Sequence, residues 1–134
     1  MIAAVCSWHE DHERAVREIH NRLNRRQHMI VAAPALIEAF SVLTRFPTPH
    51  RISPNDALII LETNFVKDVK IIALSVAHYT ALLRGAPEAG ISGGRMYDAV
   101  IAACARRARV RTVLTFNETD FAPFADSTLE IAVP

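Results

Sequence analysis

Apolar residues Ala15, Val16, Ile19 and Leu23 recur at helical spacing, and Ser7 followed by Glu10 reads as a capping box in front of them. The pattern predicts an amphipathic helix ending near Asn24. Residues 29–33 form a short unbroken apolar run with β-branched members, closed by Pro34, which suits a buried strand. Pro34 then opens a helix whose stripe is Leu36, Phe40 and Leu43, ended by Arg45 and Pro47. Ser53-Pro54-Asn55-Asp56 carries a cap, a first-turn proline and an acid, and predicts a helix to about Val66. Residues 71–74 read as a second buried strand. Ser75 caps a helix bearing Val76, Tyr79, Leu82 and Leu83, with Gly90 as its stop. After the turn Ser92-Gly93-Gly94, residues 95–108 are apolar or small almost all round, which predicts a helix packed on most sides. Residues 112–115 and 129–133 complete the strands, with a short helical turn over 118–124.

Short apolar strands alternating with helices predict an α/β fold, a parallel sheet with helices on both faces, because each right-handed crossover needs a helix. Such sheets bind ligands beyond the carboxyl ends of their strands. The chain has 134 residues, 51% of them apolar, enough for one domain without disulfides. Its formal charge of +1 excludes gripping a polyanion with the whole surface, so any nucleic-acid contact is local. Cys6 and Cys104 lack the spacing of a thiolate metal site, which suits a reducing cytoplasm. No apolar run is long enough for a membrane span, and the first residues do not resemble a signal peptide.

Three acids fall near predicted strand ends. Glu38 lies in the first turns of the helix after residues 29–33. Asp98 stands at the start of the most apolar helix, where a carboxylate needs a cation or donors beside it. Asp120, with Asn117, follows the strand at 112–115. Carboxylates that converge in one crevice repel one another, and a hard cation such as Mg²⁺ or Mn²⁺ relieves this with oxygen ligands. Such an ion suits phosphodiester hydrolysis by an activated water, although a carboxylate at a helix start is also an ordinary dipole partner.

Pro34-Ala35-Leu36-Ile37-Glu38-Ala39-Phe40, Tyr97-Asp98-Ala99-Val100-Ile101-Ala102-Ala103 and Leu114-Thr115-Phe116-Asn117-Glu118-Thr119-Asp120-Phe121 resemble, in order and spacing, three successive signatures of PIN-domain toxins of the VapC type. Trp8-His9-Glu10-Asp11-His12-Glu13-Arg14-Ala15 resembles that family's first helix, so the likeness covers essentially the whole chain. It implies a Mg²⁺-dependent (or Mn²⁺-dependent) endoribonuclease toxin that acts on RNA, pairs with a VapB-type antitoxin and forms a homodimer. By resemblance Glu38 and Asp98 match the family's second and third acids, and both would hold the metal. The fourth acidic position is Asn117 or Asp120, with Thr115 as hydrogen-bonding support.

The family pattern opens with a strand ending in an aspartate, and Met1 stands where that lead-in should already be over. Asp11 cannot replace the aspartate because it is expected inside the first helix. The expectation is therefore one PIN-like domain over residues 1–134, N-terminally incomplete, with a break between the strands at 29–33 and 112–115. A start codon further upstream and a degenerate chain are the two explanations. The intact caps and stripes favour the first. A non-catalytic remnant that binds an antitoxin or its own copy is the alternative function, and an unrelated receiver-like or flavin-binding domain is a third.

Other features carry less. His9 and His12 lack the spacing of a zinc helix and read as a solvated helix start. Arg22, Arg25 and Arg26, and Arg106, Arg107, Arg109 and Arg111, could meet phosphates or an acidic antitoxin segment, but they are also ordinary partners of helix ends. Ser92-Gly93-Gly94-Arg95 lacks the spacing of a phosphate loop. Cys104, Trp8 and Phe40 read as packing residues.

Overall fold

Two of the sequence's cap signals are met atom by atom in the computed structural model, which describes residues Met1–Pro134. Ser53 Oγ accepts the Asp56 amide at 3.1 Å and donates to the Asp56 carboxylate at 2.7 Å, which starts helix α4, Pro54–Leu61. Ser75 does the same for α5, Val76–Gly85, accepting the His78 amide at 3.4 Å. The chain divides into two compact units, Met1–Ile71 and Ile72–Pro134.

The first unit holds α1 (Ile2–Val5), α2 (His12–Asn24), β1 (Ile30–Ala32), α3 (Ala33–Arg45) and α4. Its core is Cys6, Val31, Ala39, Leu43, Ala57, Leu61 and Phe65, with Leu43 and Ala57 fully enclosed. Three expectations change here. Residues 7–11 are a turn instead of a helix start, because His9 N–H bonds to the Cys6 carbonyl, the Asp11 amide bonds to His9 Nδ1 at 3.1 Å, and α2 begins at His12. Asp11 is accordingly the N-cap residue of α2, outside the helix, and is paired with Arg14 at 2.7 Å. Past Leu61 the helix widens into a π-turn, Glu62–Val66, closed by Lys67 N–H on the Glu62 carbonyl. That wider turn keeps Phe65 in the core with Leu61.

Strand β2, Lys70–Ile72, pairs with β1 and is shorter and less buried than the predicted strand at 71–74. Its Lys70 and Ile71 are exposed, and only Leu74 just beyond it is buried. A strand paired along one edge needs no continuous burial.

In the second unit α5 stops at Gly85, short of the predicted stop at Gly90, and has no buried residue. Half of its expected stripe is in solvent, with Val76 82% and Leu83 63% exposed, while Tyr79 and Leu82 are half-buried. Helix α6, Arg95–Arg107, is buried as predicted through Ala99, Val100, Ala102, Cys104 and Ala105. Strands β3 (Thr112–Leu114) and β4 (Glu130–Ala132) run parallel, with Val113 opposite Ile131. Between them lie α7 (Glu118–Phe121) and a 3₁₀ turn, Ala122–Phe124, whose Phe121 and Phe124 pack with Ala99 and Ala102. The α/β class holds. The strands form two pairs, β1 with β2 and β3 with β4.

Leu43 and Val76 give opposite expectations for the same kind of truncation. Leu43→Ala opens a cavity in a fully enclosed position and should cost about 2–5 kcal/mol in urea unfolding. Val76→Ala should change stability by no more than about 0.5 kcal/mol.

Candidate active site

Each acid singled out by the sequence is carried on a helix that follows a strand or a turn. Glu38 is exposed in the second turn of α3, directly after β1. On either side of it Ile37 is 74% exposed and Ala39 is buried, so Glu38 lies at the edge of the packed face. Within the same unit Glu38 also acts on the Met1 amino group. Burial holds that group below its ordinary value, while the Cys6 thiol and then the Glu38 carboxylate oppose the shift.

Asp98 is half-buried in the first turn of α6, where the helix dipole favours a negative charge. Asn117 and Asp120 follow β3, Asn117 exposed as the N-cap of α7 and Asp120 half-buried within it. Thr115 Oγ1 accepts the Asn117 amide at 3.0 Å, and the Thr115 amide continues the ladder to the Ala132 carbonyl at 3.0 Å. Thr115 thus fixes the turn that presents Asn117 while its hydroxyl hydrogen can still serve another acceptor. Ala99, beside Asp98, and Phe121, beside Asp120, belong to one buried cluster that locks α7 onto α6.

The donors are of the right kind for a hard divalent ion, carboxylate and amide oxygens without thiolates. No three His, Cys, Asp or Glu side chains stand together as a ready ligand group. The histidines of the first turn serve the backbone: His9 Nδ1 caps the Asp11 amide, and His12 Nδ1 lies 2.8 Å from the Ala3 carbonyl oxygen. Arg95, just before Asp98, has a buried Nε without a hydrogen-bond partner.

At the opposite ends of β3 and β4, a groove of about 650 Å³ is lined by Arg106, Arg109, Arg111, Asp126, Thr128 and neighbouring residues. Sequence reading offered these arginines but missed the group that organises them. Asp126 accepts from the Thr128 hydroxyl at 2.6 Å, the Thr128 amide at 2.7 Å and Arg106 at 2.9 Å. The turn pattern Asp126-Ser127-Thr128 was the available signal. Arg106 also donates to the Phe124 carbonyl. Burial raises both thiols, Cys6 and Cys104, above their usual range, as expected of inert packing residues.

A match to the PIN domain family covers residues 1–126. The chain belongs to that family. Ribonuclease VapC40 of Mycobacterium tuberculosis is 38% identical over 111 residues, spanning 81% of this chain and 75% of the relative, in both strain CDC 1551 / Oshkosh and strain ATCC 25618 / H37Rv. Ribonuclease VapC27 of Mycobacterium tuberculosis (strain ATCC 25618 / H37Rv) is 35% identical over 75 residues, 56% of this chain and 53% of the relative. No helix is long and apolar enough to cross a membrane.

The Asp126 carboxyl is held well below the usual carboxylate range, by the Thr128 hydroxyl first, then the Thr128 amide and Arg106. A depressed folded-state value stabilises the fold above the unfolded value and is lost as pH falls below it, here on the acid side of about pH 4. Asp126→Asn should therefore lower Tm at neutral pH. The gap to the parent protein should close as pH is lowered from about 5 towards 2, followed by circular dichroism.

Proposed function

We propose that this protein is a ribonuclease of the VapC toxin type that hydrolyses RNA phosphodiesters with Mg²⁺ or Mn²⁺. The observation that carries the reading is its likeness to ribonuclease VapC40 across four fifths of the chain. Glu38, Asp98 and Asp120, with Asn117, would hold the ion through oxygen atoms, and Thr115 would orient them. When bound, the ion supplies a water activated near neutral pH and neutralises charge on the phosphate.

The chain's own residues would set the remaining conditions. Asp98 lies at the positive end of the α6 dipole, and the packing of Ala99 against Phe121 limits how far Asp98 can move relative to α7. Arginines away from the acids would bind the substrate backbone, a salt-dependent contribution. A VapB-type antitoxin partner, a homodimer and a cytoplasmic setting belong to the same proposal. The exposed Ile37, Leu58 and Ile59 on α3 and α4 offer apolar surface for such protein contacts.

The absence of three gathered ligands favours one second reading, a PIN-domain module that binds a protein partner without cutting RNA. A direct assay separates the two. The protein should cleave single-stranded RNA with Mg²⁺ or Mn²⁺ and stop on chelation. Asp98→Asn should lose at least about 100-fold in rate with an unchanged circular dichroism spectrum, because it keeps the shape and removes the charge. Undiminished cleavage by Asp98→Asn would remove Asp98 from the site, and no cleavage by the parent with either ion would leave the binding module.

A further inference from the structure

Trp8 is the chain's only tryptophan, and it is 43% exposed, although the sequence reads it as a packing residue. Its ring centroid lies 4.2 Å from that of His50, with the planes tilted by 31°. Phe46 meets it edge-on at 5.0 Å and 85°, and His9 lies 6.3 Å away. Both turns that bring these rings together are tied down. On one side Cys6 is buried and its carbonyl accepts the His9 amide at 2.9 Å. On the other, the His50 amide bonds to the Pro47 carbonyl at 2.9 Å, the Ile52 amide to the Leu43 carbonyl at 3.2 Å, and Phe46 and Ile52 pack against the core.

Charges of both signs surround the rings. Arg45 and Arg51 are exposed at the two ends of the loop that carries His50, and Arg51 Nε donates to the Phe46 carbonyl at 3.1 Å, which orients its guanidinium. On the facing side Asp11 is engaged by Arg14, and Glu10 and Glu13 are the exposed acids. A fixed, half-exposed ring stack beside arginines is what a single-stranded nucleic acid uses, a flat surface for any base and cations for its phosphate. Hot spots of protein interfaces are also rich in Trp and Arg, so an acidic peptide is the competing occupant, although the exposed aliphatic side chains Ile37, Leu58 and Ile59 that would extend such an interface belong to α3 and α4.

We propose that Trp8 and His50 form a stacking platform for a base of single-stranded RNA, with Arg51 taking the adjoining phosphate. The idea rests on the reading of this protein as one that acts on RNA. Because the rings are already ordered, binding a base costs little further immobilisation.

Trp8 is its own reporter. The full chain, in chelator so that nothing is cut, is titrated with a single-stranded 2′-O-methyl RNA of about 12 nucleotides, within the range of known single-strand sites. Trp8 fluorescence should be quenched saturably, and a duplex of the same sequence should quench it far less. By anisotropy of labelled RNA, Trp8→Ala and His50→Ala should bind roughly five- to 150-fold more weakly, the span of base–aromatic stacking, while Trp8→Phe retains most of the affinity. Thermal unfolding checks each variant, and His50→Ala with Trp8→Phe carries the test if Trp8→Ala does not fold. RNA binding that leaves Trp8 fluorescence unchanged, full affinity in His50→Ala, or a response of Trp8 to an acidic peptide but not to RNA would overturn the proposal. Cleavage with a silent Trp8 ends the platform and leaves the ribonuclease reading standing. Quenching without cleavage under any divalent ion does the reverse.

Discussion

Both units are held where helices approach one another at alanine. Ala39 on α3 and Ala57 on α4 are among the most enclosed residues of the first unit, and Ala99 and Ala102 on α6 play that part against α7. Strands of only three residues supply few ladder bonds, so the helix contacts carry most of the order in each unit. A side chain larger than a methyl at these points would force the backbones apart, and close-packed interiors absorb such strain poorly. The same contacts place the acids. Glu38 precedes Ala39 and Asp98 precedes Ala99, and neighbouring residues on a helix are turned by about 100°, so an enclosed alanine puts the acid before it at the rim of the packed face. The rim is where a carboxylate can be held rigidly and still reach solvent.

Legibility in the sequence followed the range of the interactions. Ser53 and Ser75 act within three residues, and their caps stand where the pattern placed them. Helix α6 was readable because its apolar residues run all round it. The turn at residues 7–11 was not, since it depends on a histidine ring accepting a backbone amide and on His12 reaching back to Ala3, neither of which a capping pattern encodes. The π-turn escaped for a similar reason: Glu62–Val66 keeps the helical apolar spacing and differs only in which carbonyl each amide selects. The stripe on α5 was real as a pattern, yet Val76 and Leu83 remain outside. Periodicity reports a face that could be buried and says nothing about what covers it.

The candidate site divides in the same way. Residue types and their positions after β1 and β3 and at the head of α6 were visible as motifs, because each motif is local to one strand and helix. Thr115 was expected beside a ligand and is found bonded to the Asn117 amide, a short-range link. The tie between Arg106 and Asp126 spans twenty residues and left only the turn signal in the sequence.

The parallel register of β3 and β4 gives the second unit an electrostatic polarity. Parallel strands bring their carboxyl ends to one side, and beyond them stand Thr115, Asn117 and Asp120. At the amino ends lie Arg109 and Arg111, with Asp126 holding Arg106 beside them. Asp126 cancels one positive charge, but it also fixes the turn that keeps the arginine-lined groove open, so a carboxylate here serves a basic surface. With a formal charge of +1 the chain has no general attraction for a polyanion to draw on. A chain that contacts RNA under that constraint must separate the functions in space. On the proposed reading, arginines and aromatic rings would grip the RNA, and the acids beyond the strand ends would act on the bond.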